Sequence, residues 1–79
     1  MDEKFTSMLG IIIVPQIIDI IIQNEKIKEE DALNAFYQSK TYNLLENEES
    51  KLWHLSPLAI YSIYKQEKET GELDLPEGQ

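Results

Sequence analysis

Apolar residues are concentrated in the N-terminal part of the chain, between positions 5 and 26. On a helical wheel at about 100° per residue, the polar residues of this segment fall in one narrow arc, formed by Gln16, Asp19, Gln23 and Lys26. The apolar residues cover about 200° of the wheel, which is roughly twice the stripe of an ordinary surface helix. They are Ile11, Ile13, Val14, Ile17, Ile18, Ile20, Ile21 and Ile22. The pattern predicts a helix that is surrounded on most of its sides.

Pro15 interrupts this segment. Because proline has no N–H to donate to the carbonyl of Ile11, and because its ring crowds the preceding turn, a continuous helix should kink at Pro15. The alternative is a β-strand at residues 11–14, which β-branched side chains favour, followed by a helix whose first position is Pro15. Since the chain has no second alternating segment to pair with such a strand, we predict the kinked helix.

The middle of the chain carries two helix-start signals. The acidic residues 29–31 predict a helix that starts near Lys28, since negative charge stabilises a helix N-terminus. Ser39 is a suitable N-cap for a short helix that runs to about Glu46. The polar residues 47–50 are typical of a turn.

The last helix has the clearest boundaries. Ser56 provides a side-chain acceptor at the N-cap, Pro57 occupies the first helical position, and Gly71 is a suitable C-terminal cap. The apolar residues expected to pack on the first helix are Leu33, Phe36, Tyr37, Leu44, Leu45, Leu58, Ile60, Tyr61, Ile63 and Tyr64. We therefore predict an all-α fold, a small bundle of three main helices plus one short helix. Residues 1–71 should form a single domain and residues 72–79 a C-terminal tail.

The net charge of −8 limits the classes of partner. Phosphate backbones are neutralised by Lys and Arg, and all seven basic residues here are lysines, so nucleic-acid binding is disfavoured. Without cysteine, a chain of 79 residues cannot supplement its small core with disulfides, which favours dense helix packing or association with another chain.

The apolar segment from Leu9 to Ile22 is shorter than a membrane-spanning helix. Its 14 positions are interrupted by Pro15, Gln16 and Asp19, whereas about 20 apolar residues are needed to cross the hydrocarbon. Residues 1–4 carry two acids and one base, which is not the pattern of a signal peptide. The sequence therefore predicts a cytoplasmic protein that does not interact with a membrane.

Catalytic and metal-binding patterns are weak. His54 is the only histidine, and without cysteine or a second histidine it does not predict a zinc site. Ser56 could be paired with His54 as a nucleophile, but its position before Pro57 is better explained by helix capping. We predict no catalytic residue, no metal site and no cofactor, and no small-molecule substrate is evident.

Several short motifs together resemble a family of small uncharacterised helical bacterial proteins. The positions that carry the resemblance are Glu30 to Leu33, Tyr37, Ser39, Thr41, Leu45, Leu52, Ser56, Pro57, Tyr61, Glu67 and Gly71. The chain departs from the family pattern at Lys28, where a capping serine is expected, and at Pro15. The resemblance implies a small helical protein encoded in toxin–antitoxin-like or accessory gene modules, and it implies no active site.

These observations favour a noncatalytic protein–protein interaction module, antitoxin-like or accessory in role, that is not an enzyme. Excess apolar helix surface without chemistry predicts a homodimer or a complex with a protein partner. The predicted interface residues are Ile13, Ile17, Ile20, Ile21 and Trp53. The alternative is a small helical transcriptional regulator that binds DNA, which would need a basic recognition helix that the sequence does not provide.

Overall fold

A computed structural model describes residues 3–72, and all regular secondary structure in this range is helical. Helix α1 (Glu3–Met8) continues through a π-helical turn (Leu9–Ile13) into α2 (Val14–Glu25), followed by α3 (Glu29–Tyr37), α4 (Lys40–Leu45) and α5 (Pro57–Thr70). Two 3₁₀ turns, Glu48–Ser50 and Leu52–His54, connect α4 to α5. The all-α prediction is confirmed for the described range. Residues 73–79 of the predicted tail lie outside it.

The N-terminal helix, residues 3–25, contains one π turn immediately before Pro15. The N–H of Val14 donates to the carbonyl of Leu9, five residues earlier. The alternative of a strand at residues 11–14 is therefore wrong, because these residues are helical. The buried stripe of this helix reads Phe5, Leu9, Val14 and Ile18, with spacings of four, five and four. The π turn inserts the extra residue between Leu9 and Val14.

The core forms where α2 packs on α3 and α5, with α4 packing on α5. Its largest fully buried apolar side chains come from α2, α3, α4 and α5: Ile17, Ile21, Phe36, Leu45, Ile60 and Tyr64. The ring of Phe36 stacks edge-on against Tyr64 at a centroid distance of 5.4 Å. Such aromatic pairs contribute about 0.5–1.5 kcal/mol beyond the area they bury.

Two predicted caps are confirmed. Ser39 Oγ accepts the N–H of Tyr42 at 3.0 Å at the start of α4, and Ser56 Oγ accepts the N–H of Ala59 at 3.2 Å at the start of α5. Helix α5 ends at Gly71, whose φ of 82° is the left-handed conformation that glycine adopts without a steric cost. The starts of α4 and α5 and the end of α5 therefore lie at residues that the sequence indicated.

Two residues predicted to be buried are exposed. Leu58 lies in the first turn of α5 with 61% of its surface exposed, because no described element covers that side of the helix. Tyr37, predicted to share the buried face of Leu33 and Phe36, is 45% exposed at the C-terminal end of α3. The buried face of α5 is therefore formed by Ile60, Tyr61, Ile63 and Tyr64.

Candidate interaction surface

The N-terminal helix exposes apolar side chains near its middle. Ile11 is 74% exposed and Ile12 is 52% exposed, and the neighbouring Gly10 and Pro15 are also exposed. We call these four residues the N-terminal patch. Isoleucine is among the residue types most often fully buried in folded proteins, so two adjacent exposed isoleucines on one helix mark a surface available for association.

The π turn explains why this surface points outward. Continuous α-helical geometry would place Ile11 close to the stripe of Val14 and Ile18, as the helical wheel predicted. The extra residue of the π turn instead keeps Leu9 in the core, so that Ile11 and Ile12 turn to the solvent side. The carbonyl of Ile11 has no N–H at Pro15 to accept in any case, which removes one reason for α-helical geometry here.

The sequence around the patch is uncharged. No residue from Phe5 to Ile18 carries a formal charge. A Cβ atom added at Gly10 would meet no atom within 4 Å apart from its chain neighbours and the backbone of its own helix, so the helix is accessible at this position. Another helix can therefore approach the patch closely without burying a carboxylate or an ammonium group, which would be costly.

A groove lies beside the patch, between α2 and α3. It encloses about 370 Å³ and shares Gly10 and Pro15 with the patch. The other residues that line it are Val14, Ile18, Asp19, Ile22, Glu29, Leu33 and Tyr37. Asp19 and Glu29 are exposed, while Val14 and Ile18 are buried, so the groove combines an apolar floor with two surface carboxylates. We call it the α2–α3 groove.

Two of the five predicted interface residues have no surface to offer a partner. Ile17 and Ile21 are fully buried, with 0% exposure, because they face α3 and α5 inside the chain's own core. A substitution at either position would therefore report on folding and not on association. Ile13 and Ile20 are half-buried against the same core and retain part of their surface.

Trp53 is held in place by the chain itself. Its indole Nε1 donates to the carbonyl of Glu48 at 2.8 Å, and its ring lies edge-on to Phe5 at a centroid distance of 5.6 Å. These contacts attach the two 3₁₀ turns to the start of the N-terminal helix. The ring is half-buried, which leaves a part of it at the surface.

The contacts of His54 and Ser56, the two residues that could have formed a catalytic pair, are structural. Ser56 Oγ is occupied as the cap of α5, and His54 is an exposed residue whose ring is edge-on to Trp53 at 4.0 Å. Within residues 3–72, no group of three or more histidine, cysteine or acidic side chains could hold a metal ion. The predictions that the protein has no catalytic residue and no cofactor remain predictions.

One ion pair joins the end of α2 to α5. Lys68 Nζ lies 3.0 Å from Glu25 Oε1, with the lysine about half exposed. The hydrogen bond to Glu25 raises the pKa of Lys68, and burial together with the charge of Glu25 raises the pKa of Tyr61. An exposed pair of this kind contributes little to stability.

By length and composition alone, the helix from Lys4 to Glu25 could cross a membrane. Of its most apolar 18-residue stretch, 33% is buried inside the molecule. The core helix of a soluble protein and a signal sequence can have the same length and composition, so this property does not distinguish between them. The sequence-based predictions of a cytoplasmic location and of no membrane contact remain untested.

Comparison of the chain with protein-family models, with curated proteins and with solved structures gives no match. The resemblance to small helical bacterial proteins therefore stays a prediction.

The exposure of Ile11 and Ile12 does not follow from the helical wheel. The wheel assumes uniform α-helical geometry and therefore places Ile11 in the covered arc, whereas the π turn leaves both Ile11 and Ile12 exposed. The sequence does contain a sign of the π turn. Phe5, Leu9, Val14 and Ile18 are spaced by four, five and four residues, and they share one face of a helix only if a π turn accommodates the extra residue between Leu9 and Val14.

Proposed function

We propose that this chain is a noncatalytic protein–protein interaction module that associates through the N-terminal patch. The observation that carries the proposal is the exposure of Ile11 and Ile12, at 74% and 52%. Removing apolar surface from water is the main favourable contribution to most protein–protein association. An antitoxin-like or accessory role, which the sequence resemblance implies, requires such a surface and no active site.

The partner that we propose for the patch is a second copy of the chain. Closed two-fold dimers are the commonest oligomers, and their interfaces bring the same patch of each copy together. The uncharged segment from Phe5 to Ile18 allows this contact even though each chain carries a charge of −8. The half-buried Ile13 and Ile20 extend the proposed interface beside Ile12.

We also propose that the axis of the N-terminal helix bends at Pro15. Proline and π turns are both recognised causes of helix kinks, and here they are adjacent. A bend at this point lets α2 follow the core while the preceding turns extend the patch away from it.

Sedimentation equilibrium at micromolar concentration tests the dimer. We expect a species of twice the 9.2 kDa chain mass for the natural sequence. Ile11→Glu and Ile12→Glu should each give a folded monomer, because a charge placed in a dry interface is costly. Leu58→Glu is the matched control, since the exposure of Leu58, 61%, lies between those of Ile12 and Ile11 but Leu58 lies on α5, and this variant should remain dimeric. A natural chain that sediments at 9.2 kDa would refute self-association.

A further inference from the structure

The α2–α3 groove has a chemistry that differs from the patch beside it. The apolar side chains that line it and keep exposed surface are those of Ile22, Leu33 and Tyr37. The carboxylates of Asp19 and Glu29 lie among the same lining residues. No lysine lines the groove, although the chain contains seven. An occupant must therefore offer apolar groups to the floor and positive charge to the edges.

Asp19 is the more informative of the two carboxylates. Glu29 lies in the first turn of α3, where a negative charge stabilises the helix dipole whether or not a ligand binds. Asp19 lies in the interior of α2, away from both helix ends, and it forms no hydrogen bond or ion pair within the described residues. No structural role for its charge is evident in this part of the chain.

The size of the groove also limits the occupant. Its 370 Å³ is at the low end of the range of about 300–1,000 Å³ for pockets that enclose small molecules, and it is open to solvent along two helices. A groove between helices is suited to another helix, which places apolar side chains at every third or fourth position along it.

We propose that the α2–α3 groove binds a basic amphipathic helix of a partner protein, with one or two apolar side chains on the floor and Lys or Arg beside Asp19 and Glu29. Charge complementarity favours this occupant over a second copy of the chain, which carries a charge of −8 itself. The inference deepens the proposed interaction function. The groove adjoins the proposed dimer contact and shares Gly10 and Pro15 with it, but it does not include Ile11 or Ile12.

Fluorescence anisotropy with a designed peptide tests the proposal. The probe is a labelled 18-residue helix built only from Leu and Lys at helical spacing, compared with the same peptide carrying Glu at each Lys position. The full-length chain should bind the Lys peptide and not the Glu peptide. Binding should weaken as salt is raised, because the attraction is between partly exposed charges.

The double variant Asp19→Asn, Glu29→Gln identifies the binding surface. It should bind the Lys peptide about fivefold more weakly, the effect expected from two exposed ion pairs. The control is Glu46→Gln, Glu49→Gln, which changes the net charge by the same amount at exposed positions outside the groove. This control should bind as tightly as the natural chain, and circular dichroism should show that both variants are folded.

Three results would overturn the proposal. The first is equal affinity of both double variants for the Lys peptide, and the second is binding of the Glu peptide. The third is stronger self-association of the double variant Asp19→Asn, Glu29→Gln, which would assign the groove to a second copy of the chain. These results are independent of the mass measured by sedimentation for the natural chain. Failure of the groove proposal is thus distinguishable from failure of the dimer.

Discussion

The Glu67 carboxylate of α5 accepts a hydrogen bond from the Thr41 hydroxyl of α4 at 2.8 Å. It also accepts the backbone N–H groups of Lys40 at 2.8 Å and Thr41 at 3.0 Å. Together with Ser39 Oγ, which accepts the N–H of Tyr42, it satisfies the first three amides of α4. A short helix of six residues is thus capped jointly by its own N-cap and by a residue 27 positions away.

This arrangement predicts a pH-dependent contribution to stability. Burial raises the pKa of Glu67, but the hydrogen bonds from Lys40 and Thr41 outweigh it, so the net pKa is below its ordinary value. A lowered pKa in the folded chain stabilises the fold above the unfolded pKa, about 4.3. That stabilisation is lost as the pH falls through the folded pKa.

Glu67→Gln should destabilise the fold by about 1–2 kcal/mol at neutral pH, because a neutral amide is a weaker acceptor for these donors. The difference from the natural chain in free energy of unfolding, measured by urea denaturation, should shrink as the pH is lowered to about 3. Glu69→Gln, at an exposed position on the same helix, is the control and should show neither effect. A difference that stays constant with pH would show that ionised Glu67 is not the cap.

Ser56→Ala should destabilise the fold by about 0.5–2 kcal/mol, because Ala59 N–H loses its side-chain acceptor at the start of α5. Ser62→Ala provides the contrast. Ser62 is an exposed residue in the middle of α5, where alanine is the better helix former. The Ser62→Ala variant should therefore be as stable as the natural chain or slightly more stable. Thermal unfolding followed by circular dichroism measures both, and equal behaviour of the two variants would contradict the cap.

Tyr64→Phe should be neutral or stabilising by up to about 1 kcal/mol. Tyr64 is 1% exposed, and within residues 3–72 no group lies in hydrogen-bonding geometry to its hydroxyl, so its removal relieves a buried polar group. Burial raises the pKa of Tyr64, and Lys68 interacts with this hydroxyl electrostatically, which lowers the pKa. Tyr61→Phe is the comparison, since the Tyr61 hydroxyl lies 3.5 Å from Glu25 Oε2. Calorimetric unfolding measures both variants. If Tyr64→Phe were clearly less stable than Tyr61→Phe, the Tyr64 hydroxyl would have a hydrogen-bond partner and the prediction would be wrong.

Lys26→Gly should stabilise the fold by about 0.5–1 kcal/mol. Lys26 follows the last turn of α2 with a φ of 58°, a left-handed conformation that is unfavourable for residues with a Cβ atom. Lys26→Gln removes the same charge at the same position but keeps the Cβ atom, so it does not relieve the strain. Chemical denaturation should therefore separate the two variants, and a Lys26→Gly chain no more stable than Lys26→Gln would contradict the prediction.

The fold was largely predictable because its helix boundaries depend on local residues. Ser39, Ser56 and Gly71 act through atoms within a few positions in the chain, so their types alone indicate where helices begin and end. The capping role of Glu67 could not be predicted, since its partners lie on another helix and the sequence does not distinguish Glu67 from Glu69 of α5 as the acceptor. Only the packed chain shows which one meets Thr41.

The surface was less predictable than the core. The buried positions of Ile17 and Ile21 follow from the amphipathic pattern, but the sequence could not say which side of such a helix remains uncovered. The exposure of Ile11 depends on a change of helical pitch, and the exposure of Leu58 depends on where the neighbouring helices end. Both are properties of the assembled helices.

The π turn is equivalent to a single inserted codon. Deleting Ile12 and replacing Pro15 with alanine would bring Phe5, Leu9, Val14 and Ile18 into the uniform spacing of a regular α-helix, so we expect this shortened chain to keep the helical content and cooperative unfolding of the natural one. Deleting Ile20 from α2, where no extra residue exists, would turn one half of the helix away from the core and should prevent folding. The chain without Ile12 would also lack one of the two isoleucines that the π turn exposes. A one-residue change in length therefore decides whether this helix only fills a core or also presents a surface.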